Sequence, residues 1–187
     1  MSLLYGSAGV GKTNLCLWIV SKSSKPSLYL STEGSIPIPL LERYSLCSRE
    51  FYFREIFSLE DLSILLIEMF LDYSLSKFKN VCIDSINTHY RYEVVERPIA
   101  NKLLNTSLAI LSYTASSFGS RILLTAQVRE EEGEVVPSGY EILDFWSDII
   151  VEIKKKGNDR EIEVVKPSEF RNRRIKFSIT DRGIEFE

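Results

Sequence analysis

Histidine occurs once, at His89, and the three cysteines, Cys16, Cys47 and Cys82, lie far apart along the chain. A zinc cage needs four close nitrogen or sulfur ligands and a disulfide framework needs paired thiols, so neither can be assembled. The thiols are expected to be reduced and buried. No apolar run approaches the ~18 residues of a membrane span. The first residues show neither the basic flank nor the small-residue cleavage site of a secretory signal, so a cytoplasmic protein without membrane contact is expected. An excess of positive charge is missing too. The formal charge of -3 argues against a strongly basic nucleic-acid binder, while leaving open a local patch of arginines. Proline, glycine and serine never gather into a linker, and no internal repeat or low-complexity tract breaks the chain. Residues 1–187 therefore read as a single domain, large enough to bury its own core.

What is present is an alternation of short apolar runs and helical stripes. Ser2 to Tyr5 is an apolar run that ends in a glycine-rich turn, and Leu15, Trp18 and Ile19 follow at helical spacing. Leu28-Tyr29-Leu30 reads as a second buried strand that closes at Ser31-Thr32-Glu33-Gly34. Ser58 with Asp61 has the spacing of a capping box, ahead of an apolar face of Leu62, Leu65, Leu66, Met69, Phe70 and Tyr73. Val81-Cys82-Ile83, wholly apolar, has the pattern of a central parallel strand and delivers Asp84 at its carboxyl end. Ala100, Leu103, Leu104, Leu108, Leu111, Ala115 and Phe118 form another helical stripe that stops at Gly119, before a strand from Ile122 to Thr125. Beyond Asp148, three strands are expected at Ile149 to Lys154, Glu161 to Lys166 and Ile175 to Ile179, with Gly157-Asn158 as a hairpin turn. The expected fold is α/β: a mostly parallel central sheet flanked by helices, with an antiparallel C-terminal extension.

Gly6-Ser7-Ala8-Gly9-Val10-Gly11-Lys12-Thr13 fits G-x-x-x-x-G-K-[ST] at every defined position, between a strand and a helix. Such a loop needs glycines so that successive backbone N–H groups can converge on phosphate oxygens, and the helix N-terminus adds partial positive charge. ATP with Mg²⁺ is the expected ligand. Lys12 is expected to neutralise the β- and γ-phosphates, Thr13 to hold Mg²⁺, and Asn14 to border the same site. Asp84 is the second expected metal-side residue, a Walker B carboxylate on a strand adjacent to that of the P-loop. Glu33, at the same sheet edge, could orient or deprotonate a water that attacks the γ-phosphate. Gln127 follows a strand at that edge, where its amide could sense the γ-phosphate. Arg91 and Arg129 are read as opening loops there, able to touch phosphate, a neighbour or nucleic acid. Lys166 could reach a phosphate across a subunit interface. Lys154-Lys155-Lys156 and Arg171-Asn172-Arg173-Arg174 are basic clusters suited to weak nucleic-acid or subunit contacts.

Taken together, the P-loop, Tyr29 to Gly34, Ile83-Asp84-Ser85, Thr88 to Arg91 and Leu124 to Val128 resemble the RecA/RadA recombinase superfamily in order and spacing. The likeness extends through Ser138-Gly139-Tyr140, Phe145 to Asp148 and Phe177 to Ile184, and it points to the short archaeal RadA paralogs, the RadB-like minimal ATPase cores. The resemblance implies Glu33 as general base, Asp84 as Walker B residue, and Gln127 as the link between nucleotide and DNA-binding loop. It also implies a first DNA-binding loop containing Arg91 and a second spanning Arg129 to Leu143. The second carries Glu130, Glu131, Glu132 and Glu134, which would repel a phosphate backbone. That run reads equally as a solvated loop or as an acidic surface for a basic partner. Because the first strand starts at Ser2, the family's helix-hairpin-helix domain and Phe-x-x-Ala linker are expected to be absent, and filament assembly by that route with them. The function expected is a slow ATPase assisting a full-length RadA-type recombinase in DNA repair, with weak single-stranded DNA binding and a possible oligomer. A KaiC-like signalling ATPase or a nucleotide-gated interaction module stays open beside it.

Overall fold

Helices on both faces of one sheet bury the chain's apolar residues. The structure is a computed structural model that describes residues 1–131, 134–157 and 159–187. Strand β1 (Ser2–Gly6) leads into helix α1 (Lys12–Ser21), β2 (Ser27–Ser31), α2 (Ile38–Arg43), β3 (Phe51–Glu55) and α3 (Leu59–Leu71). Next come β4 (Asn80–Asp84), α4 (Tyr90–Glu96), α5 (Ile99–Phe118), β5 (Arg121–Glu131), β6 (Glu134–Pro137) and α6 (Tyr140–Trp146). The chain closes with β7 (Ile149–Lys156), β8 (Asp159–Lys166), β9 (Arg174–Thr180) and β10 (Gly183–Phe186).

The strand order is β10-β9-β8-β7-β1-β5-β4-β2-β3, with β6 paired to β5 off that path. From β7 to β3 the pairs are parallel, and β7-β8, β8-β9 and β9-β10 are antiparallel. The expected mostly parallel core with an antiparallel extension is thus the observed one.

Alternation along the central strands sends their side chains to two cores. Leu3, Tyr5, Leu28, Leu30, Val81, Ile83, Ile122 and Leu124 pack with Leu62 and Leu66 of α3 and Leu104, Leu108 and Leu111 of α5. The intervening Leu4, Tyr29, Cys82 and Leu123 pack with Leu15, Cys16, Leu17 and Val20 of α1. Residues covered on both faces can be continuously apolar, which is why Val81-Cys82-Ile83 has no polar member. α5 ends at Gly119 in the left-handed region, as its stripe suggests.

Several expectations need correction. Cys47 is exposed, and only Cys16 and Cys82 are buried. Tyr73 lies beyond the end of α3 with φ 60° and is exposed, because the helix stops at Leu71. Ser58 does cap α3, accepting from Asp61 N, but the Asp61 carboxylate accepts from Phe57 N, one residue beyond the Ser58 N–H of a reciprocal box. Arg91 sits in α4 and not in a loop, and both Gln127 and Arg129 lie inside β5, which runs on past Thr125 to Glu131. The segment expected to form a second loop is a ribbon, β5 against β6, followed by α6. Within the acidic run, Glu132 and Gly133 lie outside the described residues, as does the turn residue Asn158.

Candidate functional site

The carboxyl ends of β1, β5, β4 and β2, four neighbours in the sheet, converge on one edge, where ligands of open α/β sheets bind. From β1 the chain turns through Gly6 to Gly11 into α1. Gly6 has φ 156°, and a Cβ there would stand 2.3 Å from the Ile153 carbonyl oxygen. Gly11 has φ 103°, and a Cβ there would come within 2.7 Å of Ile179. Side chains at these positions would collide with the sheet behind the loop, so the cradle exists only with glycine. Lys12 is buried, and its Nζ donates to the Gly6 and Ser7 carbonyl oxygens at 2.8 and 2.9 Å. Burial pushes its pKa down, and the carboxylates of Glu33 and Asp84 pull the other way. Asn14 accepts from the Tyr44 hydroxyl at 2.9 Å, which ties the start of α1 to the segment after α2.

Asp84 is not on a strand adjacent to β1, as expected, because β5 lies between β1 and β4. Three hydroxyls span that gap. Thr13 Oγ1 and Tyr29 OH donate to Asp84 Oδ2, each at 2.6 Å, and Thr125 Oγ1 of the intervening strand donates to Oδ1 at 2.5 Å. Tyr29 is fully buried and its hydroxyl is held well above its usual pKa, chiefly by that burial, with Cys82 and Asp84 adding to it. Thr13 and Asp84 are thus already in contact, the arrangement required of two groups that share a hydrated Mg²⁺.

Around this pair a second set of side chains is joined. Gln127 Nε2 donates to Glu33 Oε1 at 2.7 Å, and Arg91 Nη1 donates to Gln127 Oε1 at 2.8 Å. Three residues singled out separately in the sequence therefore form one chain, Arg91 to Gln127 to Glu33. Its base is Asn87, wholly buried, which donates to the carbonyls of Gln127 and Ser138 and accepts from Gln127 N. Asn87 fixes the root of the β5-β6 ribbon to the loop after β4. Thr32 meanwhile clasps Ser85, accepting from its N–H and donating to its carbonyl, so the ends of β2 and β4 are locked together.

Two expected residues stand elsewhere. Arg129 borders a separate polar cavity with Tyr90, Asn101 and Glu141, at the foot of the ribbon. Lys166 is opposite Ile150, near the amino edge of β7, and its Nζ donates to the Asp144 carbonyl at 2.7 Å. Reasoning from sequence missed Tyr29, Thr125 and Asn87. The signal for the first two was a hydroxyl in an otherwise apolar strand, which must find a partner when buried.

A model described as Rad51 matches residues 1–187. The chain belongs to the Rad51 family. Membership in this RecA-like ATPase family accounts for the phosphate loop and implies nucleotide binding. Among similar Rad51-family proteins is the "DNA repair and recombination protein RadB" of Methanocaldococcus jannaschii, 27% identical over 97% of this chain and 91% of its own length. A protein of the same description from Methanococcus maripaludis strain C7 is 28% identical over 97% and 89%. The structure described as "Crystal structure of the RadB recombinase" covers 98% of this chain and 89% of its own, with a TM-score of 0.79 at 23% identity, and so shares the fold. The family and fold implied by the motif order are therefore those found.

Proposed function

We propose that residues 1–187 form a single Mg-dependent ATPase core, a RadB-like paralog of RadA recombinases that serves DNA repair and homologous recombination. The observation that carries this reading is the convergence of Lys12, Thr13, Asp84, Glu33 and Gln127 from four strands onto one phosphate loop. The cradle from Gly6 to Asn14 fits a triphosphate, since its glycines leave the loop free of side chains where phosphate oxygens would lie. Mg²⁺ would be held by Thr13 directly and by Asp84 through water. When bound, MgATP supplies the transferable phosphoryl group and a metal that offsets its negative charge.

The remaining roles belong to the chain. Lys12, curled against its own loop carbonyls, exchanges those acceptors for phosphate oxygens. Glu33 takes the proton of the attacking water on its carboxylate and orients that water in line with the bond that breaks. Gln127 now occupies Oε1 of Glu33, and Arg91 holds Gln127 from behind. The base is thus restrained until Gln127 is drawn to a γ-phosphate, which supports slow basal turnover and couples the nucleotide to the β5-β6 ribbon. A single-stranded DNA phosphate that engages Arg91 would compete for the same guanidinium, so DNA and base restraint are linked. A full-length RadA-type recombinase is the partner most consistent with the RadB likeness.

Glu33→Gln tests the base. Turnover should fall by about 100-fold or more, with MgATP affinity within about twofold of the parent chain. Unchanged turnover sinks the assignment. Oligothymidylate at low salt and capture of a RadA-type recombinase test the partners. If neither interacts, the nucleotide-gated signalling reading, favoured by the four glutamates between residues 130 and 134, takes precedence.

A further inference from the structure

On the α1 side of the sheet, Val151, Ile153, Ile162, Phe177 and Ile179 pack with the second core. By strand alternation Ile149, Val164 and Ile175 belong to the same face, since Val151 pairs with Val164 and Ile162 with Ile175. At the amino edge this face is left open: Ile149 is 47% exposed and Ile175 44%. Together with Pro167 and Phe170 these residues line a groove of about 610 Å³, rimmed by Arg173 and Arg174. It lies at the sheet edge opposite the phosphate loop. Its wall is held in shape by the backbone, because the turn at Ser168–Phe170 folds back so that Val164 N donates to Arg173 O and Asn172 N to Val164 O, each at 3.0 Å.

The rim is basic in an acidic protein. Arg173 and Arg174 border the groove, while Lys166 and Arg171 line a separate cavity with Tyr140 and Asp144, in a chain that carries -3 overall. Arg174 is shared between Glu161 and Glu163 at 3.5 to 3.7 Å, and Arg173 is exposed. An aliphatic floor beneath a cationic rim selects an apolar side chain flanked by carboxylates. We infer that this groove docks an acidic peptide segment of a partner protein, with a bulky apolar residue on Ile149, Val164 and Ile175 and its Asp or Glu neighbours on Arg173 and Arg174.

Two other polyanions fit less well. A nucleic-acid strand held by base stacking would need an open aromatic face, but the Arg173 guanidinium stands 4.7 Å over the Phe170 ring and covers it. A lipid bilayer cannot enter a concave groove, whereas a side chain can. The volume is within the ~300–1,000 Å³ typical of side-chain or ligand pockets. None of the groove residues touches the nucleotide site, so this inference stands apart from the ATPase reading.

The test is selection of a phage-displayed random dodecapeptide library on the full chain, followed by anisotropy measurements with the enriched peptides. Enriched sequences should combine Leu, Ile or Phe with Asp and Glu. Both Arg173→Glu and Ile175→Glu should weaken them by about tenfold or more, with ATP turnover and melting temperature unchanged in Arg173→Glu. Lack of enrichment, enrichment of basic peptides, or binding indifferent to both variants overturns the proposal. Tighter binding of oligothymidylate or of phosphatidylserine vesicles, lost in Arg173→Glu, overturns the choice of occupant.

Discussion

Asp84 is 3% exposed and accepts from three hydroxyls contributed by α1, β2 and β5. A carboxylate this deep is tolerable only when its oxygens are satisfied, and the donors are neutral, so the charge is left available for a cation. Tyr29 positions it through a ring fixed by packing at zero exposure, and Thr125 is as deeply buried. Under the proposed Mg²⁺ binding, Thr13 by contrast would exchange its hydrogen bond for the metal. Tyr29→Phe keeps the ring and removes one donor. It should lower stability by about 1–2 kcal/mol in urea unfolding, and reduce turnover while leaving nucleotide affinity near that of the parent. If kcat is untouched and only stability falls, Tyr29 is a core residue with a satisfied hydroxyl and does not position Asp84.

Among the elements, β7, β8 and β9 carry a ladder of charge. Lys154 Nζ lies 3.0 Å from Glu163 and 3.1 Å from Glu152, and Arg174 approaches Glu163 at 3.5 Å. The Lys154 hydrogen bond holds the Glu163 carboxyl below its usual range, and Glu163 holds the Lys154 ammonium above its own. A lowered carboxyl pKa stabilises the fold above its unfolded value, and that contribution is lost as pH falls through the folded value. The raised lysine is the mirror case, losing its contribution as pH climbs through its folded pKa. The pair therefore acts between about pH 4.5 and pH 10. Lys154 is 39% exposed, so solvent screens the pair and ~0.5–1 kcal/mol is the expected size. Glu163→Gln should lose that amount at pH 7, the gap closing below about pH 4 and in high salt. Urea titrations across pH check it.

The same elements show why some of the fold was legible and some was not. β2, β4 and α5 announce themselves because both strand faces are covered and the helix has one buried stripe, so burial writes a local pattern. β3 is an edge strand whose Tyr52 and Phe53 stay exposed, and Phe51-Tyr52-Phe53-Arg54-Glu55 carries no alternation to read. β6 and β10 have four residues each, too short for a period to register. In the site, the Gly6 to Thr13 pattern is local and readable, and Asp84 and Glu33 are marked by strand ends, whereas Gln127, expected after a strand, lies inside β5. The triad of hydroxyls on Asp84 and the Arg91-Gln127-Glu33 chain depend on the order β1-β5-β4-β2, which no single segment encodes.

For the molecule as a whole, that order would turn a nucleotide bound at the proposed site into a brace. The phosphate loop leaves β1, Gln127 rides on β5, Asp84 ends β4, and Glu33 follows β2, so one ligand would join four consecutive strands. Opening any of them in unfolding would break the site, and the ligand's affinity must then appear as stability of the entire sheet. At about 100 times Kd the gain is ~2.7 kcal/mol. For a chain of this length that corresponds to a rise of about 5–10 °C in melting temperature. MgATP should produce this shift in the parent chain by calorimetry. In Lys12→Ala the shift should shrink to near zero, since the loop then has no cation to meet the triphosphate. A shift that survives Lys12→Ala would mean that the nucleotide sits away from the Gly6 to Thr13 loop, and the four-strand brace would have to be abandoned.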